Sequence, residues 1–442
     1  MQVLEASEGW FAFVRTYPRL PAEASAIETM PAALTPERFA DLIRASREVY
    51  APGCAGHSLL FERWLREHPD CAADATFSGV HIPTVNRFDF ASLTPTTRFR
   101  GIFLSSERRA AWQDGRLLHL PISYLDTWRW LSDEAHFDLA LLQVAPPDAD
   151  GNCSLGVACD FTPAAWPRSK RLVAHVNPAM PRTRGPAIPW SRFDAAIELS
   201  APLLEVPDAR PDPALCVVAA NVAALIGDHS TIQLGLGRLQ AEVLRALWCH
   251  RGVRIHAGMV SEGLLGLADS GALAAGDSVT CGVALGSAAL YARVSNLARF
   301  VPVGETHHLA SLAAIDGFTA INAALEVDLF GQVNGELGGG RQISGVGGLA
   351  DFARGARVAR NGRSIVALPA TDASGASRIV PCLTAGPVSL ARTDADVVVS
   401  DYGTAMIRTL DVDARAKALI AIAAPAHRAA LDRAWYDLRR SM

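Results

Sequence analysis

Three stretches hold residues whose types and spacing could act on a substrate. The densest in glycine is Gly331–Gly348, GQVNGELGGGRQISGVGG, where eight of 18 residues are glycine. Such density lets backbone N–H groups converge on an anion or a carbonyl oxygen with no side chain in the way. The same stretch also reads as the tip of a flexible hairpin. Within it Gly345-x-Gly347-x-x-Ala350 fits a dinucleotide fingerprint, but the preceding RQIS is a poor strand and a lone match is weak support for a nicotinamide oxidoreductase. Gly235-Leu236-Gly237 follows a strand and opens a helix, whose N-terminus offers unpaired N–H groups to an anion; a tight strand-to-helix turn accounts for it without a ligand. In His256–Gly263, HAGMVSEG, a short strand from near Val253 reaches a polar turn, which puts Glu262 at a strand's C-terminal end, where α/β catalysis usually sits. Ser261-Glu262 is equally what a helix start wants, a capping hydroxyl and an acid at the positive end of the dipole, and His256 reads as a hydrogen-bonded structural histidine. His307 and His308 point to opposite faces if their segment is extended. With no H-E-x-x-H, C-x-x-C or G-x-S-x-G in the chain, metal hydrolysis and a serine elbow recede, and no metal is expected.

Short apolar runs alternating with helical patterns position these stretches, and they argue for α/β layers with largely parallel sheets. Asp138–Val144 and Arg171–Val176 read as buried strands, Pro213–Ile226 as a helix stopped by Gly227, Ser230–Leu236 as a strand, and the segment from Leu239 as an amphipathic helix. An internal echo suggests two similar halves: LLQV is followed by Asp148-x-x-Gly151, and AALEV by Asp328-x-x-Gly331. Pro202, Pro207 and Pro211 mark Ser191–Asp212 as the boundary, with a cut near residue 205 giving domains 1–205 and 206–442.

Composition sets the class. Of 442 residues 50% are apolar and 19% charged, so the chain is globular and long enough for two domains. A net charge of −4 lacks the positive field that nucleic acid requires. The only lysines, Lys170 and Lys417, lie outside any Walker-type loop. MQVLEASEGWFAFVRTYPRL does not read as a signal peptide. The longest uncharged runs, Pro213–Gly227 and Ser278–Ala292, have 15 residues each, below the roughly 18–20 of a membrane span. Eight scattered cysteines read as reduced core thiols, so the expected location is the cytoplasm.

Several stretches together resemble the acetyl-CoA hydrolase/transferase family of class I CoA-transferases, which includes 4-hydroxybutyrate and acetate CoA-transferases. They are DLALLQVAPPDADGNCSLGVACDFTPAAW (138–166), VNPAMPRTRG (176–185), STIQLGLG (230–237), INAALEVDLFGQVNGE (321–336), GVGGLADFARGA (345–356), VVVSDYGTAMIR (397–408) and ALIAIAAPAHRAAL (418–431). The resemblance implies two related open-sheet α/β domains with the active site between them, in a homodimer or larger oligomer. It implies an acyl-CoA thioester as substrate, a small carboxylic acid or water as acceptor, and no covalently bound cofactor. Family chemistry is ping-pong: a glutamate attacks the acyl-CoA, CoA opens the mixed anhydride, and a second acid takes CoA from the enzyme. The G-x-G-G-x-x-D-F stretch, here Gly345, Gly347, Gly348, Asp351 and Phe352, resembles the family loop that contacts CoA and lends an oxyanion N–H. Pro52–His57, with Ala55, looks like the loop facing the thioester, and Asn322 corresponds to a family asparagine near it.

One position departs from the family. Laid on a family stretch resembling I-H-T-E-M-I-S-D-G, Ile255–Gly263 puts Gly258 where the nucleophilic glutamate belongs, and Glu262 on the later acid. Over one helical turn that shift moves a side chain about 5–6 Å, whereas attack needs reacting atoms about 3–3.5 Å apart. Either Glu262 serves as nucleophile or base through a changed backbone, or the thioester goes to water or another nucleophile without a glutamyl intermediate, or the chain is a silent acyl-CoA-binding subunit. Smaller departures are Asp401 for a longer glutamate, DHS at 228–230 and RLQ at 238–240.

Overall fold

The computed structural model describes residues 30–442 apart from Ala209 and Ala385. The N-terminal stretch tested above for a leader, and with it the start of the expected first domain, lies outside the described residues. Residues 31–442 form one compact unit built on two eight-stranded sheets.

In the first sheet the strand order is Ala32–Ala33, Ala195–Glu198, Ser169–Val176, Phe137–Val144, Glu48–Tyr50, Thr76–Ser78, Arg98–Gly101 and Leu117–His119. Every pairing in it is parallel. The second runs Arg299–Phe300, Val279–Leu285, Arg254–Ser261, Thr231–Leu234, Thr319–Ala323, Arg363–Ala367, Val397–Ser400 and Gly403–Met406, parallel except for the closing antiparallel pair. Phe137–Val144 is buried at every position but Asp138, which is why it reads as an unbroken apolar run: helices and loops cover both faces of a parallel sheet.

The sequence reading and the structure differ at two places. Ala195–Glu198, inside the expected linker, is a strand, and Asp194 joins it to the sheet by accepting the Leu172 N–H at 2.7 Å. The helix after Asp212 ends at Ala223, and the chain tightens through Leu225 and Ile226 N–H bonds to Val222 and Ala223 before Gly227. The strand expected from near Val253 runs from Arg254 through Ser261, which puts Glu262 just past its C-terminal end, as expected, and Gly258 in mid-strand.

The internal echo is a repeated turn. Asp148 and Asp328 each accept two following N–H groups on Oδ1, from Asp150 and Asn152 and from Phe330 and Gln332. In each, the glycine N–H closes onto the aspartate carbonyl, and Gly151 and Gly331 take φ of 73° and 87°. Asp372-x-x-Gly375 forms the same turn a third time.

The two lobes share core. Cys54, Ala55, Val157, Ala158 and Cys159 from the first pack in one cluster with Cys281, Val283, Leu285 and Tyr291 from the second. The 157–160 segment bonds along the Val279–Leu285 strand: Ala284 N–H donates to Val157 O, and the Cys159 and Asp160 N–H groups donate to Gly282 O. No described helix is long and apolar enough to cross a membrane.

Candidate active site

Gly258 sits in the Arg254–Ser261 strand, and register places it level with Asn322 on either side of Gly235, since Ile232 pairs with Ile255 and Leu234 with Ile321. Asn322 Nδ2 lies 3.4 Å from Gln233 Oε1 on the neighbouring strand. Gly235 and Asn322 lie at the carboxyl ends of their parallel strands, where open α/β sheets bind ligands, and Gly258 lies beside them midway along a longer strand.

What faces Gly258 is His307. A Cβ at 258 would lie 2.6 Å from its Cε1 and 3.1 Å from its Nε2, and a Cβ at Gly348 would lie 2.6 Å from the same Nε2. The ring edge is thus wedged between the strand and the glycine loop. Phe352 and Tyr124 flank it at 4.3 and 5.1 Å between centroids. Its Nδ1 is 2.8 Å from the Thr306 hydroxyl, the one side-chain hydrogen bond of this ring among the described residues. Burial, with His256 nearby, holds the imidazole down at about 3, so it is neutral at physiological pH. His256 donates Nε2–H to, or holds it against, the Thr306 carbonyl at 3.0 Å, a structural role that steadies the residue beside His307. The adjacent histidines part because His307 closes the short Val303–Thr306 helix while His308 caps the next, accepting the Ala310 N–H.

The glycine stretch divides in two. Leu337–Gly338 and Arg341–Gln342 form a hairpin turning on Gly339 and Gly340, both left-handed, so its first half is the hairpin tip. Its second half is a loop ending on the Leu349–Val358 helix. Gly345 packs so closely on the Ile102 carbonyl that a Cβ would meet its oxygen at 2.1 Å, and Gly347 adopts φ 58° against the Phe103 ring. The Gly347 carbonyl accepts the Tyr124 N–H at 3.0 Å, and Asp351 accepts the Leu125 N–H at 3.0 Å. The first lobe thereby fixes the loop, while the Gly347 and Gly348 N–H groups donate to no other group among the described residues. Fixed, unpaired N–H groups of this kind can stabilise an oxyanion.

The first lobe also supplies a buried acid. Asp160 is pushed up to about 7 by burial, with the Phe161 N–H 2.6 Å from Oδ1 drawing it partly back. Burial raises the Tyr50, Tyr124 and Cys54 hydroxyls and thiol well above their usual ranges, Asp160 adding to each. Ala55 lies in a buried turn, its carbonyl accepting from Gln143 Nε2 at 3.1 Å. Asn86 clamps that turn by accepting the Cys54 N–H and donating to the Cys54 carbonyl, and the buried Arg108 guanidinium holds the Asn86 and Phe88 carbonyls.

Glu262 is placed differently. It begins the Gly263–Asp269 helix without capping it; its carboxylate instead accepts the Ser287 N–H and hydroxyl, both at 2.9 Å, at the start of the Ala288–Leu297 helix. Because residues 258–261 are strand, the four-residue separation from Gly258 amounts to about 13 Å along the chain, not one helical turn. The structure brings Gly258 and Gly348 together against His307, sets Gly345 and Gly347 on Ile102 and Phe103 of the first lobe, places Asn322 in the same sheet as Gly258, and ties Glu262 to a neighbouring helix. Sequence reasoning missed His307, Tyr124 and Asp160. The available signal for His307 was His308 itself, a helix cap before LASLA that rules out an extended pair.

Comparison with known proteins decides the family. The model of the acetyl-CoA hydrolase/transferase N-terminal domain matches residues 32–200, and that of the C-terminal domain residues 286–435. The chain belongs to the acetyl-CoA hydrolase/transferase family. It is 33% identical over 366 residues to a 4-hydroxybutyrate coenzyme A transferase of Clostridium kluyveri, covering 80% of this chain and 85% of that protein. A succinyl-CoA:cyclohexane-1-carboxylate CoA transferase of Geobacter metallireducens is 34% identical, covering 78% and 82%. The crystal structure of RipA from Yersinia pestis superposes with a TM-score of 0.86 at 27% identity, covering 92% of this chain and 98% of that one. The expected two-domain α/β fold of the class I CoA-transferase type is therefore the fold of this member.

Proposed function

We propose that this protein cleaves the thioester of a short acyl-CoA between its two lobes, as an acyl-CoA hydrolase or an acyl-CoA:carboxylate CoA-transferase. The observation that carries the reading is the Gly345–Gly348 loop, held by the first lobe with the Gly347 and Gly348 N–H groups unpaired and with Gly348, like Gly258, packed against the His307 ring. Those N–H groups would stabilise the tetrahedral oxyanion, and the nucleotide end of CoA would supply binding energy remote from the reacting carbon. Gly258 and the engagement of Glu262 by Ser287 favour a second, narrower reading, in which the acyl group leaves CoA without a glutamyl-CoA intermediate. Acyl-CoA and a small carboxylic acid or water complete the partners, in a cytoplasmic homodimer or larger homo-oligomer with no further cofactor.

The test is chromatography of CoA species after incubation with acetyl-, propionyl- and butyryl-CoA, with and without short carboxylic acids. Free CoA released without added acid supports hydrolysis, and a new acyl-CoA formed only with acid supports transfer. Tight acyl-CoA binding with neither product would contradict the reading and leave a silent binding subunit.

A further inference from the structure

His307 is a nucleophilic or basic side chain that the family's glutamate chemistry does not use, and it stands where that glutamate has no room. Three observations bear on what it does. First, its Nε2 edge fills the space between Gly258 and Gly348, so a side chain at 258 and this imidazole exclude each other. Second, the ring is held as an oriented base. Thr306 Oγ1 is 2.8 Å from Nδ1 and 3.5 Å from the Pro302 carbonyl. In the tautomer with its hydrogen on Nδ1, Oγ1 accepts Nδ1–H and the lone pair lies on Nε2. Third, the Gly347 and Gly348 N–H groups are unpaired, and Gly348 packs against that ring edge.

We infer that His307 is the general base of a direct thioester hydrolysis, with Thr306 as the residue that positions it. The inference rests on the proposed acyl-CoA reading and deepens it. Nε2 takes a proton from water as the water oxygen bonds to the thioester carbon. The carbonyl electron pair moves onto oxygen, facing the Gly347 and Gly348 N–H groups. Collapse of that intermediate breaks the C–S bond, and the imidazolium returns its proton to the departing thiolate, giving the carboxylic acid and free CoA. No co-reactant besides water is needed. Burial keeps the ring neutral and able to accept a proton, at the expense of basicity, since a general base works best with a pKa near the operating pH.

The experiment compares the full-length protein with His307→Ala, His307→Gln and the double variant Gly258→Glu/His307→Ala, reading CoA release, acyl-CoA affinity by calorimetry, and intact mass after acid quench. Expected are CoA release by the parent without a covalent adduct, a loss of at least 100-fold in both single variants with affinity within threefold, and partial rescue of His307→Ala by added imidazole. Removing the ring makes room for a carboxylate, so the double variant is expected to acquire a CoA adduct at position 258. Release within threefold of the parent by both single variants would overturn the assignment of His307, as would a CoA adduct on an acidic side chain of the parent, and both leave the acyl-CoA reading standing. Absence of acyl-CoA binding by the parent would overturn both.

Discussion

A Cβ on residue 258 would stand 2.6 Å from Cε1 of His307, closer than such atoms approach in folded proteins. The glycine and the imidazole are therefore a matched pair. Gly258→Ala is expected to destabilise by about 1–3 kcal/mol through overpacking, and His307→Ala to relieve that cost. A double-mutant cycle by denaturant unfolding should give a coupling of at least about 1 kcal/mol. Additive effects would show that the two positions do not compete.

Gly345 supplies the closest approach between the glycine loop and the first lobe, with the Ile102 carbonyl oxygen 2.1 Å from where its Cβ would be. Gly345→Ala must displace backbone, and a loss of about 3 kcal/mol or more is expected together with reduced CoA release. Gly339→Ala is the control: nothing lies within 4 Å of its Cβ position, and only its φ of 57° resists substitution. It should cost about 1–2 kcal/mol and leave turnover intact.

Glu262 serves the helix that begins after Ser287. Glu262→Gln keeps an oxygen for one of the two Ser287 bonds and removes the charge at that helix N-terminus, so a loss of about 1 kcal/mol by thermal unfolding is expected. CoA release should stay within threefold of the parent. Abolished release would instead make Glu262 the nucleophile or base.

Asp160 carries a pH signature. Its folded value of about 7 lies above the 3.8 of an unperturbed aspartate because burial disfavours the charge. Between those values the folded state holds more protons than the unfolded state, so stability falls as pH rises through the window. Asp160→Asn preserves an acceptor for the Phe161 N–H and removes the titration. It should be more stable than the parent at pH 8, by at most on the order of 4 kcal/mol, with the advantage shrinking toward pH 4. Unfolding curves across that range check the sign.

Much of this architecture was legible because it is locally encoded. The D-x-x-G turns at Asp148 and Asp328 follow from side-chain oxygens that bond their own backbone, and the apolar run ending at Val144 follows from burial on both faces. Ala195–Glu198 escaped notice because its place in the sheet depends on strands distant in sequence and its composition resembles a linker. Gly258 was visible as a departure from the family pattern, but what fills its space was not. His307 reaches it from a helix junction some 50 residues later, an arrangement that no local pattern announces.

The most direct test of the central claim is the intact mass of the purified protein, incubated with acetyl-CoA and other short acyl-CoAs and quenched in acid, with free CoA measured in the same samples. The account predicts accumulation of free CoA and an unmodified protein mass. A protein carrying covalent CoA, mapped by peptide digestion to Glu262 or another carboxylate, would contradict it and restore the glutamyl-CoA route.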